Sequence, residues 1–219
     1  AAKGTEMTRV EDGEWDPKNP NVFYFLTTES NKDPMATKAN PVEPTFSRDG
    51  GALWRLTFTD GQKPELGAKL ELLLDGSEAP YLSKPDNLAV TENGIVIIQE
   101  DPGNNGHVAR IVAFRASDSK IAVIAEFNKE HFVTGAEKFM TIDEEASGII
   151  DATNLLAKPG DKNTYFFFNA QVHTAGAAIA RPDLPSKSKP RKAAIDKATI
   201  EGGAFYVMTI TDWNAVFSS

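Results

Sequence analysis

Short runs of β-branched and aromatic residues, each preceded by a turn signal, recur along this chain at a near-constant interval, and that recurrence restricts the fold more than any other feature. Val22 to Thr28 follows Trp15-Asp16-Pro17, Gly94 to Gln99 follows Lys84-Pro85-Asp86-Asn87, and Thr164 to Asn169 follows Ser147-Gly148-Ile149-Ile150-Asp151. Strands beginning at about 22, 94 and 164 are spaced by roughly 70 residues, as in repeated four-stranded units that carry long insertions. Further strands are expected at 52–58, 69–74, 87–91, 109–114 and 121–127, where apolar residues are bounded by turn residues such as Glu92-Asn93-Gly94 and Asp118-Ser119-Lys120. Helical periodicity is confined to short pieces near 143–146 and 212–217. The pattern predicts an all-β chain, a partial β-propeller of about three four-stranded blades in a single domain 1–219. The blades fall at approximately 9–76, 82–128 and 140–219, with insertions at 30–48 and 181–197.

A closed propeller needs at least about four blades, so three imply that another chain or a missing segment completes the ring. A β-sandwich or a compact three-sheet arrangement is the single-chain alternative. Both insertions are rich in proline and polar residues and read as surface loops. The second carries Lys187, Lys189, Arg191 and Lys192, either a solvated face or a docking patch for an acidic partner.

Composition removes several classes of function. With 23 Lys+Arg against 31 Asp+Glu the net charge is -8, and a nucleic-acid partner would have to overcome that field. The absence of cysteine excludes disulfides, thiolate nucleophiles and zinc-thiolate or iron-sulfur sites within these residues. Apolar runs such as Ile95 to Ile98 and Tyr165 to Phe168 are far shorter than the roughly 20 residues of a transmembrane helix. The opening Ala1-Ala2-Lys3-Gly4 reads as a processed or trimmed terminus. Neither a glycine-rich phosphate loop ending in Lys-Ser/Thr nor a Gly-x-Ser-x-Gly elbow is present.

Candidate chemistry lies in oxygen-rich stretches ahead of strands. Arg9-Val10-Glu11-Asp12-Gly13 combines a guanidinium with two carboxylates, able to grip a hard cation through Glu11 while Arg9 forks onto phosphate or carboxylate oxygens; a surface salt bridge beside a turn is the plainer reading. Asp86 follows Pro85 at the mouth of an inner strand, where it either faces the channel or caps its own turn. Glu100 and Asp101, in the loop running to His107, suit calcium better than zinc but do not have EF-hand spacing. Asp151, ahead of the strand at 164–169, and His173, after that aromatic inner strand, are weaker candidates, and His107 and His131 read as ordinary loop residues.

The order Arg9-Val10-Glu11-Asp12-Gly13-Glu14-Trp15-Asp16-Pro17, Pro85-Asp86-Asn87-Leu88, Glu145-Ala146-Ser147-Gly148 and Phe168-Asn169-Ala170-Gln171-Val172-His173 resembles the C-terminal half of the PhoX-like alkaline phosphatases, in a less characterised branch. Those are exported β-propeller phosphomonoesterases that use calcium and iron. The resemblance implies a metal-ligand role for Glu11 and Asp86, a phosphate-contacting or orienting role for Arg9, a phosphate ester as substrate, and a periplasmic or extracellular location. It implies Ca2+ as cofactor, and Fe3+ only where the family's N-terminal half, with its iron-binding cysteine, is present. This sequence has Gln171-Val172-His173-Thr174 where the family carries a His-Pro pair after its Asn-x-Gln. The reading is therefore a metal-dependent phosphoesterase fragment or subunit. Its main alternative is a non-catalytic propeller subunit of a larger extracytoplasmic or membrane-associated assembly, and a calcium-propeller sugar or lactone hydrolase is a third.

Overall fold

A computed structural model of the chain describes residues 7, 9–28, 50–76, 78–79, 81–102, 107–173 and 201–218. Both expected insertions, 30–48 and 181–197, lie outside these residues, as does the loop at 103–106.

Among the described residues, eleven strands form three antiparallel sheets. β1 (Val10–Trp15), β2 (Val22–Thr27), β3 (Ala52–Phe58) and β4 (Ala68–Asp75) make the first, in sequence order, with a 3-10 turn at Pro64–Leu66. The second is the meander β5 (Pro85–Val90), β6 (Ile95–Glu100), β7 (Arg110–Arg115) and β8 (Lys120–Glu126). The third, ordered β11-β10-β9, contains β9 (Glu144–Asp151), β10 (Thr164–His173) and β11 (Glu201–Ile210). One-turn helices occur at α1 (Lys129–Phe132), α2 (Thr153–Leu156) and α3 (Trp213–Val216).

Side-chain alternation explains why the sheets stack. On β6, Val96 and Ile98 join Tyr24, Leu26, Leu53, Leu88 and Val112 in a core against the first sheet. The intervening Ile95 and Ile97 join Ala146, Ile149, Phe166 and Phe217 in a core against the third. The middle sheet is thus apolar on both faces, and all six β6 residues are buried. The first strands of the three sheets, β1, β5 and β9, lie side by side. The chain is all-β, with three sheets set as the blades of a partial propeller.

Three details differ from the sequence-based expectations. The strands that begin near 22, 94 and 164 are second in their sheets, because β1, β5 and β9 precede them as the innermost strands. Helix formers at Glu144 to Ala146 lie in β9, where Glu144, Glu145 and Ala146 pair with Val172, Gln171 and Ala170; the ladder overrides local propensity. The third sheet has three described strands where four were expected.

Candidate functional site at the inner strands

The second residue of every innermost strand is a carboxylate: Glu11 on β1, Asp86 on β5 and Glu145 on β9. Because the three strands are neighbours, this repetition gathers negative charge at one end of the inner surface. Burial pushes the Asp86 carboxyl up to about 6, helped by the negative charges of Glu11, Asp101 and Asp12 and opposed by Arg9. Glu145 is also raised, first by burial and then by Asp101. Glu11, Asp86, Asp101 and Glu145 therefore form a connected acidic row across all three sheets.

Two basic side chains border the row. Arg9 Nη2 lies 3.4 Å from Glu11 Oε1 and keeps half of its side chain in solvent. At the other end, His173 Nε2 is 3.5 Å from Glu145 Oε2. The backbone enters β1 and β5 through left-handed residues, Arg9 (φ 51) and Lys84 (φ 47), a conformation that costs about 1 kcal/mol or more for a residue with a Cβ. That repeated bend sits two residues ahead of both Glu11 and Asp86.

Carboxylates further along the inner strands join the blades. Asp12 Oδ2 accepts from Leu88 N at 3.1 Å, and Glu14 Oε2 accepts from Val90 N at 2.6 Å. Asn87 Oδ1 accepts from Gly148 N at 2.9 Å on the next blade. Innermost strands are sheet edges with free amides, and these side chains satisfy them. Burial raises the Glu14 carboxyl, with Asp12 and Asp151 adding to the rise and the bond from Val90 working against it.

The sequence-derived candidates thus separate into groups. Arg9, Glu11, Asp86, Asp101 and His173 belong to the acidic row or its borders. Asp151 acts on Glu14, and its Oδ1 accepts from Thr153 N at 2.8 Å, the start of α2. Glu100 is fully buried inside the second sheet and accepts from Ser83 N, Arg110 N, Arg110 Nε, Arg110 Nη2 and His107 Nε2 at 2.7–3.1 Å. Burial opposes its ionisation, but the bonds from Arg110 and His107 prevail and hold the carboxyl below its ordinary range. Its lone pairs are occupied, so the expected metal role does not suit it. Beside it, Gln99 is buried with neither amide atom hydrogen-bonded.

Sequence reasoning missed Glu145 as a site residue, although aligning Val10-Glu11, Pro85-Asp86 and Glu144-Glu145 as strand beginnings would have revealed it. The fit to a cation is partial. An all-oxygen, mutually repelling donor set is the chemistry of a hard cation, yet among the described residues no group of three His, Asp or Glu side chains is placed to hold one. An apolar cleft of about 500 Å³ between the second and third sheets, lined by residues including Ile111, Phe127, Phe168 and Tyr206, includes none of these carboxylates.

A family model for alkaline phosphatase PhoX matches residues 1–159. The chain belongs to the PhoX alkaline phosphatase family. The match takes in the first two sheets, β9 and α2, and so contains Arg9, Glu11, Asp86, Asp101 and Glu145. It stops before β10, which leaves the Asn169 to His173 stretch without its support. No curated protein and no solved structure matches the chain. Among the described residues no helix is long and apolar enough to cross a membrane.

Proposed function

We propose that this chain supplies one wall of a calcium-assisted phosphoesterase site in the propeller channel, acting on a phosphate monoester outside the cytoplasm. The observation that carries the reading is the acidic row within the family-matched region, in which burial, with the negative charges of Glu11 and Asp101 adding to it, pushes Asp86 up to about 6. Holding carboxylates against one another costs stability, and a bound cation offsets that cost. Glu11 and Asp86 are the residues that would hold it, with Asp101 and Glu145 next to them. The cation would supply charge neutralisation at phosphate oxygens. Arg9, already beside Glu11, can turn its exposed guanidinium onto two oxygens of the ester and orient it. Fe3+ would enter only with the family's N-terminal half.

Completion of the ring by another chain or segment is part of this proposal. Its support is the pair of apolar outer faces: Trp15 and Leu72 are about half exposed on the first sheet, and Ile150 and Val207 on the third. A non-catalytic propeller subunit of a larger extracytoplasmic assembly is the second reading, favoured by the lack of a closed ligand set among the described residues.

Hydrolysis of a chromogenic phosphate monoester separates the two. The catalytic reading expects turnover that is lost with chelator and reduced at least about 100-fold in Glu11→Gln or Asp86→Asn. Unchanged turnover and calcium content in both variants would refute the assignment of these ligands.

A further inference from the structure

The first two sheets have four strands each, whereas the third ends at β11. One edge of β11 pairs with β10 without interruption, from Thr164 opposite Ile210 to His173 opposite Glu201. Its other edge has no strand partner among the described residues. The residues that follow do not return to it. They enter α3, where Trp213 Nε1 donates to Thr164 Oγ1 at 2.9 Å and Phe217 packs into the core beneath Arg115, 4.5 Å from its ring centre.

An open edge of this length ordinarily carries a lysine, a proline or a bulge that blocks pairing. From Gly202 to Ile210 this one has none of them and no charge at all. Its centre is apolar and open to solvent, with Phe205 74% and Val207 57% exposed. On a chain of net charge -8, two copies would repel over most surfaces; this strip is neutral.

We propose that the outer edge of β11 pairs antiparallel with β11 of a second copy, around a two-fold axis at Tyr206. The sequence Gly202-Gly203-Ala204-Phe205-Tyr206-Val207-Met208-Thr209-Ile210 is self-complementary in size about that point. Gly202 meets Ile210, Gly203 meets Thr209, Ala204 meets Met208 and Phe205 meets Val207. Opposed residues of an antiparallel pair share a face, so in the three outer pairs a small residue makes room for a larger one, and in the fourth two apolar side chains meet. Phe205 and Val207 of each copy then extend the apolar face already formed by Ile150 and Phe167, where Phe167 and Phe205 stack at 5.6 Å. The contact is isologous and closes. It lies at the outer rim, three strands from the acidic row, and holds whether or not that row is catalytic.

Sedimentation equilibrium tests the pairing. The wild-type chain is expected to be dimeric, and Tyr206→Lys, which sets two ammonium groups at the axis, is expected to raise the dissociation constant on the order of 100-fold. Val207→Lys, away from the axis, is expected to act in the same direction if Tyr206→Lys does not fold. Since the chain lacks cysteine, Tyr206→Cys should give a single oxidised species of twice the mass. A wild-type monomer overturns the proposal. So does a dimer that survives both lysine substitutions and fails to cross-link through Cys at 206, and so does a monomer whose β11 amides resist hydrogen exchange, since another segment of the same chain would then occupy the edge.

Discussion

Replacing Asp86 with asparagine removes one negative charge from the acidic row while keeping side-chain size. In the folded chain the carboxyl sits at about 6 instead of its ordinary 3.8. Between those pH values the folded state binds more protons than the unfolded state, so stability falls as pH rises through the window and stays lower above it. At about 1.4 kcal/mol per pH unit the full displacement is worth at most about 3 kcal/mol. Asp86 is partly exposed, and screening by water reduces this to about 1–2 kcal/mol. In chelator, Asp86→Asn should therefore stabilise the chain by that amount at pH 8, raising Tm by roughly 3–6 °C, and should have little effect at pH 4. Thermal melts by circular dichroism at both pH values give the comparison. Adding millimolar calcium at pH 8 should raise the wild-type Tm more than that of the variant, because binding to the folded state adds stability only where the ligand remains. A variant that is less stable than wild type at pH 8, or shifted equally at both pH values, refutes the electrostatic account of the row.

Two further predictions concern the interior of the second sheet. Arg110→Met leaves the buried Glu100 without its guanidinium and should cost about 3–5 kcal/mol in urea unfolding; a loss below about 1 kcal/mol would show that the pair is not what holds that corner. Gln99→Met removes an amide with no hydrogen-bond partner and should stabilise the chain by about 1–2 kcal/mol, whereas a comparable loss would mean that the amide is satisfied in solution.

The second sheet was legible because its strands are unbroken apolar runs separated by strong turn signals, including Gly94 at φ 71. Strand β1 was not, since Val-Glu-Asp-Gly-Glu-Trp holds only two apolar residues. It is extended because β2 pairs with it and because its carboxylates bond amides of β5. The reversal at Glu144 to Ala146 has the same origin, as partners distant in sequence decide the backbone. Candidate site residues were chosen by chemical type, which identifies Glu11, Asp86 and Asp101 but cannot distinguish them from Glu100, one residue away from Asp101. Strand direction makes that distinction: Glu100 turns toward Arg110, while Asp101 lies close enough to raise Asp86 and Glu145.

The amide bonds between neighbouring blades run in one direction. Asp12, third in β1, reaches forward to β5, and Asn87, third in β5, reaches forward to β9. The corresponding residue of β9 is Ala146, whose side chain has no acceptor to offer. This relay of polar clasps therefore stops at the third blade. A ring-completing segment of the kind proposed above would find no such clasp at this position, and the exposed Ile150 and Val207 would supply its main purchase there, making that seam the one most readily parted by cold or by mild detergent.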